Sequence, residues 1–190
     1  MVRMARGLAS RGVLVATFDF AYVAARRKVP DPTAVLEATW RRAIDQARAH
    51  SDIAGVPMFI GGKSMGGRIA SHVAAAGVVP PPAGLVFLGY PLHPPNRPET
   101  RRDAHLASIQ QSMLFVQGER DAFGTAEEIA ALVQTLRAPA TLHVIRQGDH
   151  SFKVPARGEL SQDDVFDDIM DTVVGWISTV IKDGDHASHS

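Results

Sequence analysis

Cysteine is absent from this 190-residue chain, which excludes disulfides, thiolate metal ligands and a cysteine nucleophile. No apolar run approaches the roughly 20 residues that a membrane-spanning helix needs. Asp19 interrupts the one N-terminal run that could pass for a signal peptide. An excess of either charge is missing too. Twenty Lys and Arg balance twenty Asp and Glu without a block of like sign, so neither nucleic acid nor an anionic membrane surface is indicated as a partner. These absences leave a soluble, cytoplasmic protein whose partner is a small molecule, and no motif asks for a cofactor or a metal.

The length suits one domain, able to bury about 70% of the surface its unfolded chain exposes. We expect that domain over 1–182, with a polar, frayed tail at 183–190 in which His186 and His189 have no role. Short apolar runs alternate with helix-period segments. Met1–Ser10 reads as a helix through Met1, Met4, Ala5 and Leu8, and Val13–Phe18 as a buried strand. Asp31-Pro32 supplies an N-cap and first-turn proline for a helix facing inward through Leu36, Trp40, Ala43, Ile44 and Ala47, with Glu37, Arg41, Arg42 and Arg48 on a solvated face. Met58–Ile60, Leu85–Leu88, Met113–Val116 and Thr141–Ile145 read as further strands. Thr125-x-x-Glu128 is a capping box, and a closing helix starts at Ser161. The prediction is an α/β fold, a mostly parallel sheet with helices on both faces. Leu92–Asp103, rich in proline and without periodicity, suits an ordered loop or small lid.

Function in such sheets collects beyond the carboxyl ends of the strands. There Gly62-Lys63-Ser64-Met65-Gly66 satisfies G-x-S-x-G between a strand and a helix that carries Ile69, Ala70, Val73 and Ala74 and stops at Gly77. That is the form of a nucleophile elbow, in which glycines two residues either side of the serine let helix and strand approach. Gly62-Lys63-Ser64 also ends like a phosphate-binding loop, but that motif's first glycine would fall at Pro57, which offers no N–H.

A serine hydroxyl needs a base, and the base needs an acid to fix its tautomer. Asp121 and His150 each follow a strand in a glycine turn, so Ser64, Asp121 and His150 occur in the chain order of α/β-hydrolases. Glu119 and Asp149 compete with Asp121, whereas His50, His72, His93, His105 and His143 fit the base poorly by position. The backbone N–H of Met65 is the expected oxyanion donor. Lys63 and Arg68 read as surface or rim charges. Tyr90, Leu92, Phe123 and Phe152 are the candidate pocket residues.

Gly61-Gly62-Lys63-Ser64-Met65-Gly66-Gly67-Arg68, Gly89-Tyr90-Pro91-Leu92-His93-Pro94-Pro95, the run Val116–Gly124 and Gly148-Asp149-His150-Ser151-Phe152 together resemble the bacterial α/β-hydrolases related to dienelactone hydrolase. The likeness spans nearly the whole chain. It implies a serine hydrolase of carboxylesterase type, with Ser64, Asp121 and His150 at that family's triad positions, cleaving a carboxylic ester or thioester of a small substrate. Dienelactone hydrolase itself has cysteine at the position of Ser64, so lactone specificity does not carry over. The relatives also begin earlier, with a strand and a His-Gly-x-Gly type loop that gives a second oxyanion donor. In the usual order that strand lies between Val13–Phe18 and Met58–Ile60, so the α/β-hydrolase fold is expected to be truncated at its N-terminus. An upstream start is the favoured expectation; direct pairing of the two flanking strands, or a partner chain in the gap, are the others. Loss of one donor would cost on the order of 10²–10³ in turnover. The alternative function is a hydrolase-fold binding protein with an incomplete oxyanion hole. Open strand edges would invite a homo-oligomer.

Overall fold

The computed structural model describes residues 2–50, 55–156 and 160–187. Its centre is a four-stranded sheet of β1 (Phe59–Lys63), β2 (Gly84–Leu88), β3 (Ser112–Gly118) and β4 (Ala140–Ile145), all parallel and in sequential order. The helices are α1 (Val2–Ala9), the single turn α2 (Ala21–Ala24), α3 (Thr33–Arg48), α4 (Met65–Ala75), α5 (Ala126–Val133) and α6 (Gln162–Ala187). A 3₁₀ turn at Ala104–Ser108 precedes β3.

Side-chain alternation along the strands decides the layers. Leu85, Phe87, Met113 and Phe115 face one side, where they meet Leu36, Trp40 and Ile44 of α3, Ile69 and Val73 of α4, and Ile129 and Leu132 of α5. Leu88, Leu114 and Val116 face the other, against Met4 of α1 and Val165, Ile169, Met170 and Val173 of α6. Continuous apolar runs such as Leu85–Leu88 therefore mark strands covered on both faces. Each fully buried Leu, Ile or Phe in these cores contributes about 1.5–3 kcal/mol. Arg11 adds an outer clasp, pairing with Asp167 and Asp171 of α6 at 2.9 and 2.6 Å. Register aligns Lys63 with Leu88 and Leu88 with Val116, so the residues that follow these three share one rim.

Four expectations need correction. Val13–Phe18 is not a strand: no described strand runs along the outer edge of β1, and a lone segment has no ladder to satisfy its N–H and C=O groups. Direct pairing of this segment with β1 is thereby ruled out. Leu14 stands 73% exposed, while Phe18 packs edge-on against Trp40 at 4.8 Å. Asp31 does not cap α3; its carboxylate accepts the Tyr22 N–H and pairs with Arg27. Arg41, Arg48 and Glu37 are not simply solvated, because they reach across to Gly77, Val79 and His72 beside α4. Finally, α6 continues through 183–187, where a frayed tail was expected. Met1 and His189 lie outside the described residues.

Candidate active site

Ser64 is the one-residue hinge between β1 and α4. Its φ of 51° and ψ of −121° lie in a region that costs a non-glycine residue strain. Flanking hydrogen bonds hold it there: Ser64 N–H donates to Leu88 O at 3.0 Å, and Arg68 N–H donates to Ser64 O at 3.1 Å. The close approach of helix to strand falls on Gly62 and Gly67. A Cβ on Gly67 would stand 2.6 Å from Gly62 O and 3.3 Å from the Phe87 ring. A Cβ on Gly66, the motif's second glycine, would meet nothing within 4 Å, so the expected packing role passes to its neighbour.

His150 sits in the turn after β4. Asp149 shapes that turn by accepting the N–H groups of Ser151 and Lys153 at 2.7 and 2.9 Å. Arg120 braces it through the carbonyls of Gly148 and Gln147. Asp121 lies beyond β3, fully enclosed, and takes three hydrogen bonds that offset the cost of burying its carboxylate. Phe123 N–H donates to Oδ1 at 2.8 Å; Gln117 Nε2 and His150 Nδ1 reach Oδ2 at 2.9 and 2.7 Å. His150 Nε2 then lies 2.8 Å from Ser64 Oγ. Since Asp121 can only accept, the Nδ1–H tautomer leaves Nε2 free to receive the serine proton.

The rival candidates are occupied elsewhere. Glu119 accepts Gln147 N–H, and Asp149 is committed to its own turn. His72 pairs with Glu37, His93 with Glu128, His143 with Asp168, and His105 with Ser71. Met65 opens α4, so its N–H belongs to the first turn, where amides have no helical carbonyl to bond. Of the four pocket residues, only Phe123 faces the site with some exposure, its ring 4.3 Å from that of His150. Tyr90, Leu92 and Phe152 are core residues here, exposed by 1%, 0% and 2%. The Tyr90 ring packs against Phe87 and Phe115, and its hydroxyl donates to Arg102 O at 2.8 Å. That bond and the one from Arg102 N–H to Leu92 O tie down both ends of the 92–103 loop, which is ordered as expected. Among the described residues no group of three or more His, Asp or Glu is placed to hold a metal ion. None of the described helices is long and apolar enough to cross a membrane.

Residues 1–178 match the model of the alpha/beta hydrolase domain. The chain belongs to the alpha/beta hydrolase family. Solved structures similar to this hydrolase-family chain include a protein of unknown function from Agrobacterium tumefaciens, with a TM-score of 0.70, 17% identity, and coverage of 94% of this chain and 77% of that one. Dienelactone hydrolase from Anabaena variabilis has a TM-score of 0.65 at 17% identity, with 94% and 77% covered. The esterase domain of a Rhodothermus marinus protein has a TM-score of 0.65 at 17% identity, with 92% and 78% covered. At these identities the likeness speaks for the fold.

Three features of this alpha/beta hydrolase site were not read from the sequence. Gln117, the penultimate residue of β3, is fully buried and binds Tyr90 N–H, Gly124 O and Asp121 at once. A polar residue closing the run Met113–Val116 was the available signal. Lys63 is no rim charge: its ammonium donates to the carbonyl of His150 and lies 4.8 Å from the centre of the Phe152 ring. Burial pushes its pKa below the ordinary lysine value, partly offset by Asp121 and Asp149. Arg68 likewise turns inward, with Nε buried and unpartnered among the described residues.

Proposed function

We propose that this chain is a serine hydrolase that cleaves a carboxylic ester or thioester of a small substrate through an acyl-enzyme on Ser64. The observation that carries the reading is the unbroken line from Ser64 Oγ to His150 Nε2 at 2.8 Å and from His150 Nδ1 to Asp121 Oδ2 at 2.7 Å. Ser64 Oγ attacks the acyl carbon as Nε2 removes its proton, and Asp121 holds the ring and offsets the imidazolium charge. The Met65 N–H, at the positive end of α4, stabilises the developing oxyanion. Nε2 returns the proton to the departing alcohol or thiol. A water then repeats the sequence on the acyl-enzyme, releasing the acid and restoring Ser64.

A series of p-nitrophenyl esters of rising acyl length tests this reading. Wild type should release nitrophenolate with saturable kinetics, and Ser64→Ala should retain only background. Equal rates in the two proteins would refute it.

A further inference from the structure

Lys63 ends β1, immediately before the nucleophile, yet its side chain does not leave for solvent. It runs under the rim to the far side of the site and donates to the main-chain carbonyl of His150. Gly89, at the end of β2, marks the crossing point. A Cβ there would lie 2.8 Å from Lys63 Nζ, 3.3 Å from His150 O and 3.5 Å from Asp121 Oδ2. The Phe152 ring closes the other side of the ammonium. Such a placement is costly. An ammonium removed from water is penalised, and here no carboxylate forms an ion pair with it among the described residues. A methionine would fill similar space without that cost, so stability alone does not account for the charge.

The loop's other tethers show what the lysine adds. Its backbone is bound to the turn after β3, through Glu119 and Arg120, and to α6, through Gln162. None of these fixes its distance from β1. Besides the His150 to Ser64 hydrogen bond itself, the Lys63 tie is the one hydrogen bond among the described residues that runs from this loop to the strand carrying the nucleophile. We infer that Lys63 is a positioning residue, holding the backbone of His150 at the spacing from Ser64 that proton transfer needs. This rests on the serine hydrolase reading above. The groups facing the imidazole are the Asp121 carboxylate, the Ser64 hydroxyl and the Phe123 ring, with the Lys63 ammonium and the Asp149 carboxylate behind its backbone.

Two variants separate the donor from the charge. Lys63→Met removes both; Lys63→Gln keeps a donor, one atom shorter, without charge. With a p-nitrophenyl ester, Lys63→Met should lose about 10- to 100-fold in kcat, the scale of a misplacement near 1 Å, while KM stays within about twofold. Lys63→Gln should recover much of kcat, because a donor to the His150 carbonyl is restored. Crystal structures of wild type and Lys63→Met add an arm that does not depend on turnover: His150 Nε2 should move beyond hydrogen-bonding reach of Ser64 Oγ in the variant. Folded variants with unchanged kcat and spacing, differing only in Tm, would overturn the inference. A wild type that holds the spacing but hydrolyses nothing would instead refute the serine hydrolase reading, leaving the crystallographic arm to decide on Lys63.

Discussion

Asp121 shows how much of this site is built by hydrogen bonds to groups other than substrate. Its two oxygens accept three donors in full burial, and replacing the acid changes the tautomer it imposes on His150 more than the shape of the pocket. Asp121→Asn should therefore keep the fold and lose about 10³- to 10⁴-fold in kcat, read by steady-state kinetics beside a melting curve. Gln117 is a different kind of support. Gln117→Leu strands the Tyr90 N–H and the Gly124 carbonyl in the interior and should cost about 1–3 kcal/mol in urea unfolding, with a fall in kcat as Asp121 loosens. Ser64, Asp121 and His150 were legible because each follows an apolar run within a glycine turn. Asp121, Glu119 and Asp149 differ in what they bond: Glu119 accepts Gln147 N–H and Asp149 the N–H groups of Ser151 and Lys153, whereas Asp121 Oδ2 lies 2.7 Å from His150 Nδ1. Gln117 and Lys63 were missed because a sequence does not show whether a polar side chain at a strand end points inward.

Among the elements, the junction of β1 and α4 is the most tightly specified. Gly67→Ala drives a methyl into the Gly62 carbonyl and should destabilise by about 1–3 kcal/mol, whereas Gly66→Ala meets open space and should be neutral or gain up to about 1 kcal/mol from helix propensity. Paired chemical denaturation curves distinguish the two, and equal losses would contradict the packing described. The central strands β2 and β3 were readable from composition because burial on both faces demands continuous apolar runs. Val13–Phe18 has the same composition and failed, since a strand is defined by a neighbour that no local pattern supplies. The capping box at Thr125 and Glu128 was legible because it is complete within four residues.

For the whole molecule, two cores on either side of one sheet make stability sensitive to groups enclosed between layers. His105, bonded to Ser71 across the α4 surface and 4.2 Å from the His72 ring, has its pKa lowered from 6.5 to about 4, first by burial and then by His72 and Arg68. The unfolded chain thus binds a proton that the folded one refuses. Stability should decline as pH falls from about 6.5 to about 4 and gain no further slope from this group below that. Urea midpoints across that range should show a shallower decline in His105→Gln. Layer order, the site's rim and a missing strand beside β1 followed from the sequence, but that no other described strand takes that place along β1 could be seen only once the sheet was assembled.

The central claim is that Ser64 is a nucleophile driven by His150, and intact-mass spectrometry after exposure to a fluorophosphonate reads it directly. Wild type should gain one phosphonyl group, mapped to the peptide containing Ser64, with none in Ser64→Ala and labelling slowed by about 10³-fold or more in His150→Ala. Folded wild type that remains unlabelled, or a label that persists in Ser64→Ala, would contradict it.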